Sequence, residues 1–366
     1  MTSKRILLTV TNDLVFDQRM QRICTSLANA GYQVTLVGRK HGKSPALTRQ
    51  AFQLQRIRLF FNSGFLFYAE YNLRLFGWLL MQKADAICAI DLDTILPVLF
   101  VSRLKGIPRV YDAHELFTEQ KEIVTRPLIH KCWKAVERLA VPSFANGYTV
   151  NLFIKQELNK RYGVNYAIVR NLPVLTQLPG RDTSREKFII YQGAVNEGRS
   201  FETLIPAMAA VPAKLVVCGD GNFFRQAIDL VRQHHLQNKI DMRGYVLPAD
   251  LKNITPTAYA AVTLFEATGL NQYYSLSNRF FDYIMAGVPQ VCVNYPEYAA
   301  INSQYEVALM VDDTCRETIA LALNRLLNDE ELYTRLRNNC LAAREHLSWQ
   351  QEEKVLVNYW NQLLPL

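Results

Sequence analysis

The sequence predicts an α/β fold of two doubly wound parallel domains, and three observations predict it. Short apolar runs alternate with helix-period segments along most of the chain, as in a parallel sheet covered on both faces. Residues 171–187, NLPVLTQLPGRDTSREK, break that rhythm with two prolines, one glycine and many polar side chains, which marks a linker. The alternation then restarts, and 366 residues are enough for two such domains with full cores.

The first domain, residues 1–170, opens on the apolar run Arg5 to Val10, a strand feeding the turn Thr11-Asn12-Asp13. A helix follows from about Asp17 to Asn29, with Met20, Ile23, Cys24, Leu27 and Ala28 on one face and Gly31 as its stop. Gln33 to Val37 is the next strand, which completes a βαβ opening of Rossmann type. No G-x-G-x-x-G follows the first strand, so a dinucleotide cofactor has no fingerprint and a simple dehydrogenase is excluded. Further strands are predicted at Ala86–Ile90, Arg109–Asp112 and Gly147–Val150. In the second domain, 188–347, strands are predicted at Phe188–Gln192, Lys214–Cys218, Ile240–Arg243 and Ala260–Phe265. Helices are predicted at Ser200–Ala209 and Phe223–His235. The last segment, 348–366, reads as an amphipathic helix through Val355, Leu356, Tyr359, Trp360 and Leu363. It is expected to return to the first domain.

Composition is that of a globular protein, 49% hydrophobic and 20% charged. The net charge of +8 is uneven: residues 1–170 hold 24 Lys and Arg against 12 Asp and Glu, the remainder 17 against 21. A basic front half favours an anionic partner, such as an acidic membrane surface or a phosphate-bearing acceptor, or else serves solubility alone. Nucleic acid is not expected, because no recognised binding motif is present. The seven cysteines form no CxxC pair, and most fall inside predicted strands or helices, so they read as small buried thiols in a reducing compartment. Lys4-Arg5 leads into a five-residue strand and not a signal-peptide core, so a cytoplasmic location is expected. The aromatic segment Phe65 to Met81 carries Glu70 and Arg74 and is not a transmembrane span. It reads as a core helix, with a peripheral membrane-surface helix as the alternative.

The stretch Ser275 to Cys292, SLSNRFFDYIMAGVPQVC, predicts a loop, a short helix, a Gly287-Val288-Pro289 stop and a buried strand. Ser275, Ser277 and Asn278 are N-cap types, so main-chain N–H groups are expected to open the helix. Such an opening attracts a phosphate or diphosphate. Asp282, about one turn further on, is placed to accept from the vicinal hydroxyls of a ribose.

At this point the motifs match a family over nearly the whole chain. Tyr111-Asp112-Ala113-His114-Glu115, Tyr191-Gln192-Gly193, Asn196-Glu197-Gly198-Arg199, Cys218-Gly219-Asp220-Gly221, Arg243-Gly244-Tyr245-Val246 and Phe281 to Pro289 stand in order. The chain resembles the retaining GT-B glycosyltransferases of glycosyltransferase family 4. The resemblance implies two Rossmann-like domains facing a central cleft, a C-terminal helix crossing back, and a nucleotide-sugar donor, UDP-linked by family habit, held by the second domain. It implies a glycan or lipid-linked acceptor on the side of the first. Family members commonly carry two glutamates eight positions apart; here the later is Asp282 and the earlier falls on Tyr274, with Glu266 or Asn271 as substitutes. Of the Arg and Lys that clamp the diphosphate, the first position is Ala194 and the second Arg199. Arg279 is the candidate for the missing charge.

The expected reaction breaks the bond between the anomeric carbon and the diphosphate, by front-side displacement with retention. Arg199 and Arg279, with the helix opening, would stabilise the leaving group. Gly193 and Gly219 would let the main chain approach the nucleotide, and the resemblance alone places base contacts near Tyr245 and Val246. His114, at the C-terminal end of a predicted strand, would hydrogen-bond the donor sugar; the alternative is a histidine satisfied by a neighbouring main-chain group. Asp17 and Arg19 read as a salt-bridged helix start. No metal is expected, since His234-His235 has no further ligands at metal spacing. Two other functions fit the same fold: a nucleotide-sugar epimerase, and a binding protein without catalysis.

Overall fold

The structure, a computed structural model, describes residues 3–15, 17–42, 44–178, 186–267 and 269–366. Residues 179–185 of the predicted linker and Thr268, beside Glu266, lie outside the described residues. The chain divides into two compact units, Met1–Asn171 with Gln351–Leu366, and Leu172–Gln350.

Unit 1 holds a seven-stranded parallel sheet: β1 (Arg5–Thr9), β2 (Gln33–Lys40), β3 (Gln53–Arg58), β4 (Ala86–Ile90), β5 (Arg109–Ala113), β6 (Asn146–Thr149) and β7 (Ala167–Ile168). The order is β3-β2-β1-β4-β5-β6-β7, so the winding reverses between β1 and β4. All five residues of β4 are buried, as expected for a central strand covered on both faces. β3 escapes the sequence reading because it is an edge strand in which only Ile57 is buried. β7, two residues long, is too short to announce itself.

From Gln351 on, the helix Trp349–Leu363 belongs to unit 1 and packs along the face its apolar spacing marks out. Leu356 and Trp360 have no exposure. Glu353 accepts from Ser26 Oγ at 2.8 Å, and Asn361 Oδ1 accepts from Tyr32 OH at 2.8 Å.

The helix Gly64–Met81 meets the expectation of a core helix on one face only. Phe67, Tyr71, Leu75 and Leu79, at the i, i+4 spacing of one face, are its buried residues. Phe65, Leu66, Leu73, Leu80 and Met81 are exposed. No described helix is long and apolar enough to cross a membrane.

Unit 2 holds a six-stranded parallel sheet: β8 (Phe188–Gln192), β9 (Lys214–Cys218), β10 (Ile240–Gly244), β11 (Ala260–Thr263), β12 (Gln290–Val293) and β13 (Ala308–Val311), in the order β10-β9-β8-β11-β12-β13. Alternate residues feed the two faces: Ile189, Tyr191, Leu215 and Val217 join the larger core, Ile190, Val216 and Cys218 the smaller. β13 is missed by the sequence reading because the helix before it, Pro296–Tyr305, stops at Glu306 with φ 47° and not at a glycine. The winding reverses between β8 and β11. In open α/β sheets, the crevice beyond such a reversal is where ligands sit.

Candidate functional site

Each unit gathers polar side chains at the C-terminal ends of the strands that flank its reversal. In unit 2, β8 and β11 lead directly into the segments that carry Gly193, Arg199 and Glu266. The loop after β8 lies against the loop after β9 through main-chain bonds, among them Gly193 N–H to the Cys218 carbonyl at 3.0 Å and Val195 N–H to the Asp220 carbonyl at 3.0 Å. A Cβ at Gly219 would stand 1.7 Å from the Gly193 carbonyl oxygen. That corrects the reading of Gly219 as room for a nucleotide: its lack of a side chain serves the close contact of two loops. Gly193 is exposed with φ 113° and open space where a side chain would stand, so here the missing Cβ leaves room for a ligand although the N–H is already held by Cys218.

Phe265 follows β11, and Glu266 N–H donates to the Gly198 carbonyl at 3.1 Å, which ties that segment to the residue before Arg199. Both candidate arginines lie over the buried Phe265 ring, Arg199 Cζ at 4.3 Å from its centroid and Arg279 Cζ at 4.9 Å. Arg279 also lies 4.4 Å over Tyr191. It is 7% exposed, and its Nη1 is buried without a hydrogen-bond partner among the described residues. Arg279 is therefore not a surface guanidinium at the helix start. It is a buried cation lying over two aromatic rings, each contact contributing roughly 0.5–2 kcal/mol.

The helix Asn278–Met285 begins one residue after Ser277, which stands at the N-cap without a side-chain cap bond. Of the main-chain N–H groups expected at the opening, that of the N-cap residue is already taken. Ser277 N–H already donates to Tyr298 OH at 3.0 Å. Ser275 lies outside the opening: its N–H and Oγ both donate to the Gln272 carbonyl, closing the short helix Leu270–Tyr273 that carries Asn271. Asn278 is exposed. Asp282 is partly exposed one turn on, and its Oδ2 accepts from Gln192 Nε2 at 2.9 Å, so the ribose candidate is held at the end of β8. Tyr245, just past β10, is exposed, and Val246 is half-buried against the smaller core.

In unit 1, Arg19 corrects the sequence reading. Asp17 caps the helix alone, accepting from Met20 N–H at 3.0 Å, while Arg19 turns inward to 5% exposure. Its Nη2 donates to Asp112 Oδ1 at 2.9 Å and its Nη1 to the Val169 carbonyl at 3.0 Å. Asp112 has no exposure. Burial works to raise its pKa, but Arg19 and His114 prevail and hold it below the usual carboxylate range. His114 is half-buried, with Nδ1 3.3 Å from Asp91 Oδ2, and Nε2 3.1 Å from Asp112 Oδ2 and 2.9 Å from Arg19 Nε. One ring nitrogen cannot accept from Arg19 and donate to Asp112 together. Two carboxylates against one guanidinium favour the imidazolium, which donates from both nitrogens. His114 thus has its ring nitrogens already engaged, closer to the alternative of a satisfied histidine than to a free donor for sugar.

Sequence reasoning missed Asp91 and Asp93, which follow β4 across the reversal from β1. Thr11 Oγ1, after β1, donates to Asp93 Oδ2. Burial and the nearby Asp91 push the Asp93 carboxyl up to about 7, against the pull of Thr11 and His114. The signal was present: Ala86 to Ile90 is an apolar strand, and Asp91-Leu92-Asp93 stands at its C-terminal end as His114 does at that of β5. Among the described residues no group of three or more His, Cys, Asp or Glu is placed to hold a metal ion.

Comparison with known proteins agrees with this architecture. The profile Glycosyltransferase Family 4 matches residues 18–172, and Glycosyl transferases group 1 matches residues 180–341. Among solved structures, the chain is similar to WaaG, a glycosyltransferase involved in lipopolysaccharide biosynthesis, with 15% identity, a TM-score of 0.74, and 99% of this chain and 100% of that one covered. It is similar to Anabaena Alr3699/HepE in complex with UDP-glucose, with 11% identity, a TM-score of 0.75 and coverage of 98% and 100%. The sucrose-phosphate synthase of Thermosynechococcus elongatus gives 16% identity, a TM-score of 0.78 and coverage of 98% and 99%. No curated protein matches the chain. Two Rossmann-like parallel-sheet units of this kind are the GT-B architecture. The chain belongs to the GT-B glycosyltransferases of the family-4 type.

Proposed function

We propose that this protein transfers a sugar from a UDP-linked donor to a glycan or lipid-linked acceptor with retention, the nucleoside diphosphate being held by unit 2. The observation that carries this reading is the pair of guanidinium groups on the Phe265 ring, one half-buried and one buried with an unpartnered Nη1. Like charges gathered in partly dry surroundings are costly, and an anion between or beside them offsets that cost. A departing diphosphate is such an anion, and its growing charge is what fixed cations stabilise in the transition state. In this reading the guanidinium groups do the work without a metal ion. Arg199 is the contact, because it is the more accessible, and Arg279 adds a buried positive charge over the same ring. Asp282 takes the ribose hydroxyls, with Gln192 holding its other side. Glu266 and Asn271 are the candidates for the donor sugar in place of the family's earlier glutamate. That UDP-glucose is bound in the Alr3699/HepE structure supports uridine as the base. The basic, apolar surface of unit 1 supports an acceptor met at an acidic membrane face.

A panel of nucleoside diphosphates tests the site. A ligand at a hundredfold excess over its Kd adds about 2.7 kcal/mol to stability, readily seen as a rise in Tm. UDP is expected to give the largest rise, and Arg199→Ala to remove most of it and lower transfer by about 10²–10³-fold. A chain indifferent to every diphosphate in the panel has no such site. The epimerase alternative would instead convert the donor with no acceptor present.

A further inference from the structure

Asp91 ends β4 with φ 54° and ψ 177°, a main-chain conformation that residues other than glycine seldom adopt. Such a residue costs on the order of 1–3 kcal/mol and persists only where its surroundings hold it. Its N–H donates to the Asp112 carbonyl at 3.0 Å, which fastens the end of β4 to β5. Its carboxylate meets His114 twice: Oδ1 accepts the His114 main-chain N–H at 2.9 Å, and Oδ2 lies 3.3 Å from Nδ1. A glycine at this position would relieve the strain and lose both carboxylate contacts.

We propose that Asp91 is a positioning residue whose carboxylate fixes the orientation of the His114 ring by gripping its main chain and Nδ1 together. The charged groups facing the ring are Arg19 from the first helix, Asp112 on β5, and Asp91 and Asp93 after β4. Glu115, its chain neighbour, turns to Gln120 Nε2. Burial opposes protonation of the ring, but Asp112 and Asp91 prevail and hold its pKa well above the usual histidine range. Resting on the transferase reading above, the consequence for catalysis is that His114 presents a fixed positive ring and does not serve as a base.

The test uses the full chain with ¹⁵N-labelled histidine, and Asp91→Asn beside Asp91→Gly, which suits the left-handed backbone and secures a folded variant. Ring nitrogen spectra of the six histidines are followed from about pH 5 to about pH 9, with His114 assigned through His114→Gln. Both variants are expected to lower the His114 midpoint by at least about one pH unit, a tenfold loss of protonated ring at a given pH. The alkaline limb of kcat should move down in step, with KM for the donor little changed. An unmoved midpoint in both variants overturns the proposal, whatever the activity. A midpoint that moves in a chain without transferase activity leaves the positioning role standing and removes the transferase reading instead.

Discussion

Arg199, Arg279 and His114 were all visible in the sequence as candidates, yet their surroundings were not. Arg279 and Arg199 are 80 positions apart, and only folding places both on one phenyl ring. The place of His114 at a strand end predicts a ligand donor, and the structure surrounds it with Asp91, Asp112 and Arg19. Asp93 carries the clearest consequence for pH. Its native carboxyl titrates at about 7 against an ordinary 3.8, so the native state holds the proton more tightly than the unfolded chain. The resulting stabilisation is complete below the ordinary value and is lost as pH rises through 7. Asp93→Asn removes that loss. The variant is expected to gain roughly 2–3 kcal/mol over the parent between about pH 5 and about pH 8.5, read as a Tm difference that widens with pH. A Tm difference that stays level across the range would refute the assignment.

At the scale of elements, the strands buried on both faces were legible because they must be continuous apolar runs. Edge strands such as β3, half exposed and polar, carry no such constraint. The paired loops after β8 and β9 teach a second lesson. Both glycines, Gly193 and Gly219, looked like ligand glycines, and only coordinates separate the one with open space from the one pressed against a carbonyl. Gly219→Ala should therefore cost about 1–3 kcal/mol through overpacking and weaken diphosphate binding as the loop that leads to Arg199 shifts. Denaturant unfolding gives the first quantity and the thermal-shift panel the second. An alanine variant as stable as the parent would mean that the two loops are not bound to each other as described.

For the whole molecule, charge and exposed apolar surface coincide in the first half of the sequence. Leu66, Leu73 and Leu80, seven residues apart on one helix, are exposed, and the residues up to 170 carry twice as many cations as anions. Each basic residue near an anionic leaflet contributes about 1 kcal/mol of attraction, and an exposed apolar stripe adds burial in the interface. The protein is expected to float with vesicles containing anionic lipid at low salt. Neutral vesicles should recover much less, and Leu73→Glu should reduce recovery severalfold. Equal recovery with neutral and anionic vesicles would remove the surface reading and leave the basic charge to solubility.

The alternation of strands and helices, and with it two doubly wound parallel units, is written in the order of the residues alone. That order also marked the strand ends where polar residues gather and, through the succession of motifs, the glycosyltransferase family. These depend on local periodicity and spacing, which a linear string preserves. Only the tertiary structure decided which polar groups meet: that Arg19 leaves its cap for Asp112, that Tyr298 takes the Ser277 N–H, and that Asp91 grips His114. Such pairings join residues tens of positions apart, and their energies arise from burial and competing partners that no local pattern encodes.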